Sequence, residues 1–225
     1  MAGNWDAEKK AVFETARALS ERGLVVGKAG NVSLRLAALG SGRNLLAITP
    51  RGKHYPSLTA EEIQIIDFEG EPVEGDLVPS VESMLHVEIF KARPDTNAVI
   101  HTHSVFACVL AVSHIELPPV IDELVVHVGG EVKLSPYAFP GTEELAKNAA
   151  GALKERNAAL LSNHGMVGVG QSLTDALNIC EMVERVAQVY VYSSLLGKVN
   201  PLPADVVRAE QDLFRMAHRH ERLEH

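Results

Sequence analysis

Ala98-Val99-Ile100-His101-Thr102-His103 is the stretch around which the rest of the chain is read. Its first half is continuously apolar, the pattern of a strand buried on both faces. Its second half places two histidines at the strand's C-terminal end, where the preceding residues give no reason to expect polar side chains. On either side the pattern becomes helical. Pro79-Ser80 opens a helix with Ser80 expected at its N-cap, Met84, Leu85 and Ile89 on its buried face, and Pro94 beyond its end. Ser104 is expected to cap an apolar helix that runs to about residue 113.

Working outward, residues 6–22 carry Val12, Ala16 and Leu19 at helical spacing, with Asp6 to cap the helix and Gly23 to stop it. Val32–Leu36 alternates like a strand, Gly40-Ser41-Gly42 turns it, and Asn44–Thr49 returns, which predicts a hairpin. Ile63–Phe68 is a short strand closed by Glu69-Gly70-Glu71. Downstream, Ile121–Val128 and Glu131–Leu134 read as β-like segments separated by Gly129-Gly130. Thr142 caps a helix over 143–155. Ala158–Leu161 is a buried strand, and Ser162-Asn163-His164-Gly165 leads from it into Met166–Val169. Ser172-Leu173-Thr174-Asp175 resembles a capping box opening a helix to about Leu196. Pro201 and Pro203 precede a final amphipathic helix. Helices and strands interleave without a strict βαβ rhythm, so the expected architecture is an α/β sandwich with a mixed sheet, not a doubly wound parallel one.

The 225 residues suggest one domain over 1–222, with Leu223-Glu224-His225 read as the remnant of a vector-encoded histidine tag. A hydrophobic content of 46% against 22% charged residues excludes a disordered chain and a coiled-coil rod. No apolar run reaches the length of a membrane span. Twenty-one basic against 29 acidic residues leave a net charge of −8, and no basic run occurs, which argues against nucleic acid or an anionic membrane as partner. The N-terminus has neither the basic nor the apolar region of a secretory leader, and the two cysteines, Cys108 and Cys180, sit among apolar neighbours. The expectation is a reduced, cytoplasmic protein.

The histidines carry the chemistry. At positions i and i+2 of a strand, His101 and His103 share a face, about 7 Å apart at Cα. From there two imidazoles can converge on one ion; the alternative is a hydrogen-bonded pair at a strand end. His164, in a polar turn after another buried strand, supplies a third nitrogen if those strands neighbour each other. Three neutral nitrogen donors suit zinc with an open fourth position, the catalytic arrangement. His86, one turn after Glu82, is read as half-buried helix packing ahead of a site role; His54, His114 and His127 as ordinary; His218 and His220 as solvated. Glu82, early in its helix, is either the general base or a carboxylate that complements the helix dipole. Gly30-Asn31 and Arg51-Gly52 let backbone N–H groups and a guanidinium approach an anion, with Thr49 and Ser80 adding hydroxyls; turn glycines and a surface arginine are the plain alternative. No P-loop and no Gly-x-Gly-x-x-Gly is present, so nucleotides are not indicated.

Ala29-Gly30-Asn31-Val32-Ser33, Ile48-Thr49-Pro50-Arg51-Gly52, Pro79-Ser80-Val81-Glu82, His101-Thr102-His103-Ser104, Pro136-Tyr137-Ala138, Gly141-Thr142 and Asn163-His164-Gly165, in this order and spacing, resemble the class II aldolase/adducin superfamily from about residue 8 to about residue 200. The resemblance implies a three-layer αβα sandwich around a largely antiparallel sheet. It implies one zinc ion per subunit on His101, His103 and His164. Glu82 would be the catalytic acid/base, able to take the fourth metal position when substrate is absent. Gly30, Asn31, Arg51, Gly52, Ser80 and Val81 fall where such enzymes bind the substrate phosphate. The implied reaction is retro-aldol cleavage of a small ketose phosphate through a metal-stabilised enediolate, in a homotetramer with active sites between subunits. Family aldolases carry glutamate at the position of Glu82 and the epimerase carries aspartate; a pentulose-phosphate 4-epimerase, a dehydratase or a decarboxylase are the other enzymatic readings. A non-catalytic adducin-like scaffold would not need the histidines and Glu82 intact. Several positions depart from the aldolase pattern. Val81 replaces a second phosphate-binding serine. Asp122-Glu123 stands about where a neighbouring subunit usually provides an aromatic proton donor. Pro140 replaces an aromatic beside Phe139, and residues 201–222 contain no tyrosine.

Overall fold

The computed structural model of the chain describes residues 5–37 and 42–221, with side chains to residue 217. The Gly40-Ser41 part of the expected hairpin turn, the side chains of His218 and His220, and residues 223–225 lie outside the described residues.

Asp6–Glu21 forms α1, followed by the strands Asn31–Leu36 (β1), Leu45–Ile48 (β2), Gln64–Asp67 (β3) and Pro72–Glu74 (β4). Then come Ser83–Ala92 (α2), Ala98–Thr102 (β5), Val105–Ser113 (α3), Asp122–Val128 (α4), Lys133–Ser135 (β6) and Glu143–Leu153 (α5). Ala158–Leu161 (β7), Gly165–Gly170 (β8), Leu173–Leu195 (α6) and Ala204–Glu221 (α7) complete the described elements. The strands form one sheet in the order β4-β3-β2-β1-β5-β8-β7-β6. Every pairing is antiparallel except β6 with β7.

Strand alternation sends side chains to two separate cores. Val32, Ala98, Ile100, Leu160 and Met166 face one cluster, which α1, α3, α4 and α6 cover. Val99, Ala159, Leu161, Val167 and Val169 face the other, which Leu85, Val87, Ile89 and Phe90 of α2 and Leu145, Ala146, Ala149 and Leu153 of α5 cover. The result is the three-layer αβα sandwich with a mixed, largely antiparallel sheet. β5 is buried at every position, as its continuous apolar pattern requires.

Local signals hold at several helix starts. Thr142 Oγ1 accepts the Leu145 N–H at 3.2 Å. Ser172 Oγ accepts the Asp175 N–H at 3.1 Å, and Asp175 Oδ2 accepts the Ser172 N–H at 3.0 Å. Four expectations need correction. Ile121–Val128 is the helix α4, in which Leu124, Val125 and Val128 are buried; Asp122 and Glu123 lie in its first turn and Gly129, at φ 94°, ends it. Ser104 precedes α3 but makes no cap: Glu184 of α6 accepts the Phe106 and Ala107 N–H groups, each at 2.9 Å. In α2 the N-cap position belongs to Glu82, with Ser80 two residues earlier accepting the Glu82 N–H at 3.3 Å. In α1, Trp5 holds the N-cap position and Asp6 is the first helical residue. β4, an exposed edge strand opened by Pro72, had no clear sequence signal.

Candidate metal centre

His101 and His103 project from the end of β5 on the face of Val99, toward α2. His164 reaches them by a route that differs from the expected one. The strand that precedes it, β7, does not pair with β5; β8, which follows it, lies between the two. The turn 162–164 therefore delivers His164 at the point where β8 enters the sheet, with Thr102 opposite Met166. Asn163 makes this turn at φ 55°. Two glycines permit the crowding. A Cβ at Gly165 would lie 2.3 Å from the Thr102 carbonyl oxygen, and one at Gly30, itself at φ 75°, would lie 2.6 Å from the His101 carbonyl oxygen.

One ligand atom from each of His101, His103 and His164 lies within 4.8 Å of the others. The ring centroids are 4.7–4.9 Å apart, all edge-on. His101 donates Nδ1–H to the Met166 carbonyl at 2.8 Å, which leaves its Nε2 as a bare lone pair 2.9 Å from His103 Nε2. Burial, then the neighbouring imidazoles, hold the His101 pKa well below its ordinary value; burial and His164 lower that of His103. Neutral imidazoles with converging lone pairs are the form that binds a metal. His101 and His103 are within hydrogen-bond distance of each other, and with His164 converging on the same point the three form a donor set that could hold a divalent cation.

Glu82, 6% exposed, completes the cluster: Oε1 lies 3.3 Å from His164 Nε2, and Oε2 lies 3.4 Å from His101 Nε2. Oε1 has no hydrogen-bond partner. Asn31 Nδ2 donates to Oε2 at 2.8 Å. The loops read as anion sites meet beside this carboxylate. The Arg51 N–H donates to the Val78 carbonyl at 2.8 Å and the Ser80 N–H to the Thr49 carbonyl at 3.2 Å, bringing Arg51-Gly52 alongside Ser80-Val81. Asn31 and Ser80 are buried, Arg51, Gly52 and Val81 exposed. Gly30 is held by the Tyr55 hydroxyl, which donates to its carbonyl at 2.7 Å.

Asp122 and Glu123 are not part of this cluster. Glu123 lies 3.8 Å from Arg185, and Asp122 hydrogen-bonds Glu210. A cavity of about 880 Å³ lies elsewhere, against Asn97 at the opposite end of β5 and Arg93, Lys154, Arg156 and Phe214. The residues missed by the sequence reading are Tyr55, Ser33 and, in its true role, His86. His86 is completely buried, not half-buried, and is hydrogen-bonded at both ring nitrogens. Its four-residue spacing from Glu82 was the available signal; Tyr55 and Ser33 had none.

The family model for the class II aldolase and adducin N-terminal domain matches residues 10–191. The 5-methylthioribulose-1-phosphate/5-deoxyribulose-1-phosphate aldolase of Rhodospirillum rubrum is 34% identical, over 96% of this chain and 94% of its own. The L-fuculose phosphate aldolase of Escherichia coli is also 34% identical, over 86% of each chain. The 3-oxo-tetronate 4-phosphate decarboxylase of Haemophilus influenzae is 31% identical, over 82% of this chain and 87% of its own. A solved L-fuculose 1-phosphate aldolase superposes with a TM-score of 0.87 at 33% identity, covering 96% of this chain and 98% of the other. Matched in sequence along most of its length and in structure across nearly all of it, the chain belongs to the class II aldolase family.

Proposed function

We propose that this class II aldolase is zinc-dependent and cleaves a small ketose 1-phosphate between C3 and C4, releasing dihydroxyacetone phosphate and an aldehyde. The observation that carries the reading is the convergence of three imidazoles on one point with the Glu82 carboxylate against two of them. His101, His103 and His164 would hold the ion beside the Glu82 carboxylate. Zinc there would supply Lewis-acid stabilisation of the charge that develops on the substrate oxygen. Glu82 would relay a proton taken up from solvent to the carbon left electron-rich when the C3–C4 bond breaks. The phosphate lies among Gly30, Asn31, Arg51, Gly52, Ser80 and Val81, with Arg51 as its fixed positive charge. Asp122, Glu123 or a residue of a neighbouring subunit takes the proton of the C4 hydroxyl.

An inter-subunit site needs an oligomer, and a homotetramer is the assembly proposed. Val105, Val109 and Val112 form an exposed apolar row on α3, and Tyr192 and Leu195 extend it on α6, which supports an assembly surface there. Both cysteines are free, which supports a cytoplasmic setting, and no described helix is long and apolar enough to cross a membrane. The decarboxylase relative supports one alternative, in which the same centre stabilises the enolate left by loss of carbon dioxide. Metal analysis and product identification decide between them. The purified protein should contain about one zinc per chain, and a His101→Ala, His103→Ala double variant should lose it. A panel of ketose 1-phosphates should release dihydroxyacetone phosphate. Full metal in the double variant removes the site, and dihydroxyacetone phosphate from no member of the panel removes the reaction.

A further inference from the structure

Behind Glu82 runs a buried polar chain that metal ligation does not use. Ser33 Oγ lies 2.6 Å from His86 Nδ1, His86 Nε2 pairs with Asn31 Oδ1, and Asn31 Nδ2 reaches Glu82 Oε2 at 2.8 Å. Ser33 and His86 are fully buried, Asn31 3% and Glu82 6% exposed, so no water substitutes for a missing partner. Each link needs one donor and one acceptor. An ionised Glu82 only accepts, so Asn31 must turn its amino group toward it. The Asn31 carbonyl oxygen then faces His86, so Nε2 must carry the imidazole proton. Nδ1 is left as a lone pair, to which the Ser33 hydroxyl donates. The chain has a single consistent direction. Burial, pushing the His86 pKa down to about 3, keeps the ring neutral.

We propose that His86 is a positioning residue for the reaction. Through its Nε2–H it locks the Asn31 amide, and the locked amide holds Glu82 by Oε2. Oε1, the oxygen without a hydrogen-bond partner, is thereby left to carry the transferred proton. Without His86, the amide can turn its carbonyl toward the carboxylate, repel it and release its orientation. The two ring hydrogen bonds of His86 go to Ser33 and Asn31 and not to the three clustered histidines, so its effect is on turnover and not on metal content. The proposal rests on the acid/base role given to Glu82 above.

Two measurements on the zinc-loaded full chain test it. The first is ¹⁵N NMR of the histidine rings, with His86 assigned by comparison with His86→Gln. Its ring should be the Nε2–H tautomer, unchanged between pH 5 and 8; an Nδ1–H tautomer or an imidazolium overturns the lock. The second is exchange of solvent deuterium into dihydroxyacetone phosphate, which reads proton transfer without the aldehyde. His86→Leu should slow the exchange by roughly 10- to 100-fold at saturating probe, with zinc content kept near wild type. His86→Gln, whose amide can donate to Asn31, should recover most of the rate. Wild-type exchange in His86→Leu, or no recovery in an equally folded His86→Gln, overturns the proposal. If the wild-type chain exchanges no deuterium, the proposed reaction fails, and the tautomer alone decides whether the lock exists.

Discussion

Gly165→Ala should damage the metal centre from a position that ligates nothing. The ideal Cβ at residue 165 lies 2.3 Å from the Thr102 carbonyl oxygen, 3.1 Å from His103 Cδ2 and 3.3 Å from His101 Cε1. A carbon normally stays roughly 3.3 Å from a carbonyl oxygen, so β8 must withdraw from β5 by about 1 Å. That motion strains the pairing of Thr102 with Met166 and carries His164 away from His101 and His103. Metal–ligand distances tolerate shifts of only about 0.2 Å. Overpacking of this kind costs about 1–3 kcal/mol. For a chain of this size that is a fall in Tm of roughly 2–12 °C, measured calorimetrically on metal-free protein. Zinc affinity, measured by chelator competition, should fall about 10- to 100-fold. Gly151→Ala is the control. Gly151 lies exposed in α5 with nothing within 4 Å of an added Cβ, so the change should stabilise by about 0.5–1 kcal/mol and leave zinc affinity alone. A Gly165→Ala chain with wild-type Tm and wild-type affinity would refute the close approach of β8 to β5 on which the site is built.

Glu82→Gln should retain zinc and lower kcat by roughly 10²-fold or more; normal turnover would leave Glu82 as a helix-dipole carboxylate only. Arg51→Ala should lower kcat/KM by about 10- to 150-fold, equivalent to about 1.5–3 kcal/mol for a charge-assisted contact, and far less for an unphosphorylated analogue. Equal losses for the charged and uncharged substrates would show that Arg51 shapes its loop and does not read the phosphate. Metal-free protein should lose stability as pH falls. The His86 pKa drops from 6.5 to about 3 on folding, so below pH 6.5 the unfolded chain binds a proton that the native one refuses. His101, also lowered, acts in the same direction. Stability should be level above pH 6.5 and decline below it by about 1.4 kcal/mol per pH unit for each such histidine. A urea midpoint constant from pH 7 to 4.5 would contradict their neutral burial.

What was legible in the sequence was local. A two-residue spacing puts His101 and His103 on one face whatever the rest of the fold does, and the capping signals at Thr142 and Ser172 act within three residues. What was not legible depended on distant partners. The insertion of β8 between β5 and β7 decides how His164 arrives, and nothing in 158–165 encodes it. Ser104 has the residue type of a cap, but a carboxylate from Glu184, nearly 80 positions away, takes its place. The valine-rich run at 121–128 has strand propensity and becomes a helix because Leu124 and Val128 bury together in the core α6 helps to form. His86 reads as packing until Ser33 and Asn31, more than fifty residues earlier, are placed beside it. The family resemblance carried the fold further than periodicity did, because motif order summarises the non-local pairings that periodicity omits.

The distribution of satisfied and unsatisfied polar atoms shows where the site gains its energy. Ser33, His86 and Asn31 have partners inside the protein, and together they form a closed support that needs nothing from outside. Glu82 Oε1 and His164 Nδ1 are buried without a hydrogen-bond partner, whereas His101 Nε2 has His103 Nε2 at 2.9 Å. Each unpaired atom is a cost to the protein alone, because a buried polar atom without a partner loses its hydration and gains nothing in exchange. A cation held by the imidazoles would give the unpaired Glu82 Oε1 a positive partner. Thr102 Oγ1 and Ser104 Oγ, which flank the histidines, are likewise buried without a partner, whereas the Ser33–His86–Asn31 chain behind Glu82 is complete. The proposed metal site would thus face a Glu82 oxygen free of hydrogen bonds, held from behind by residues that would not touch the ion.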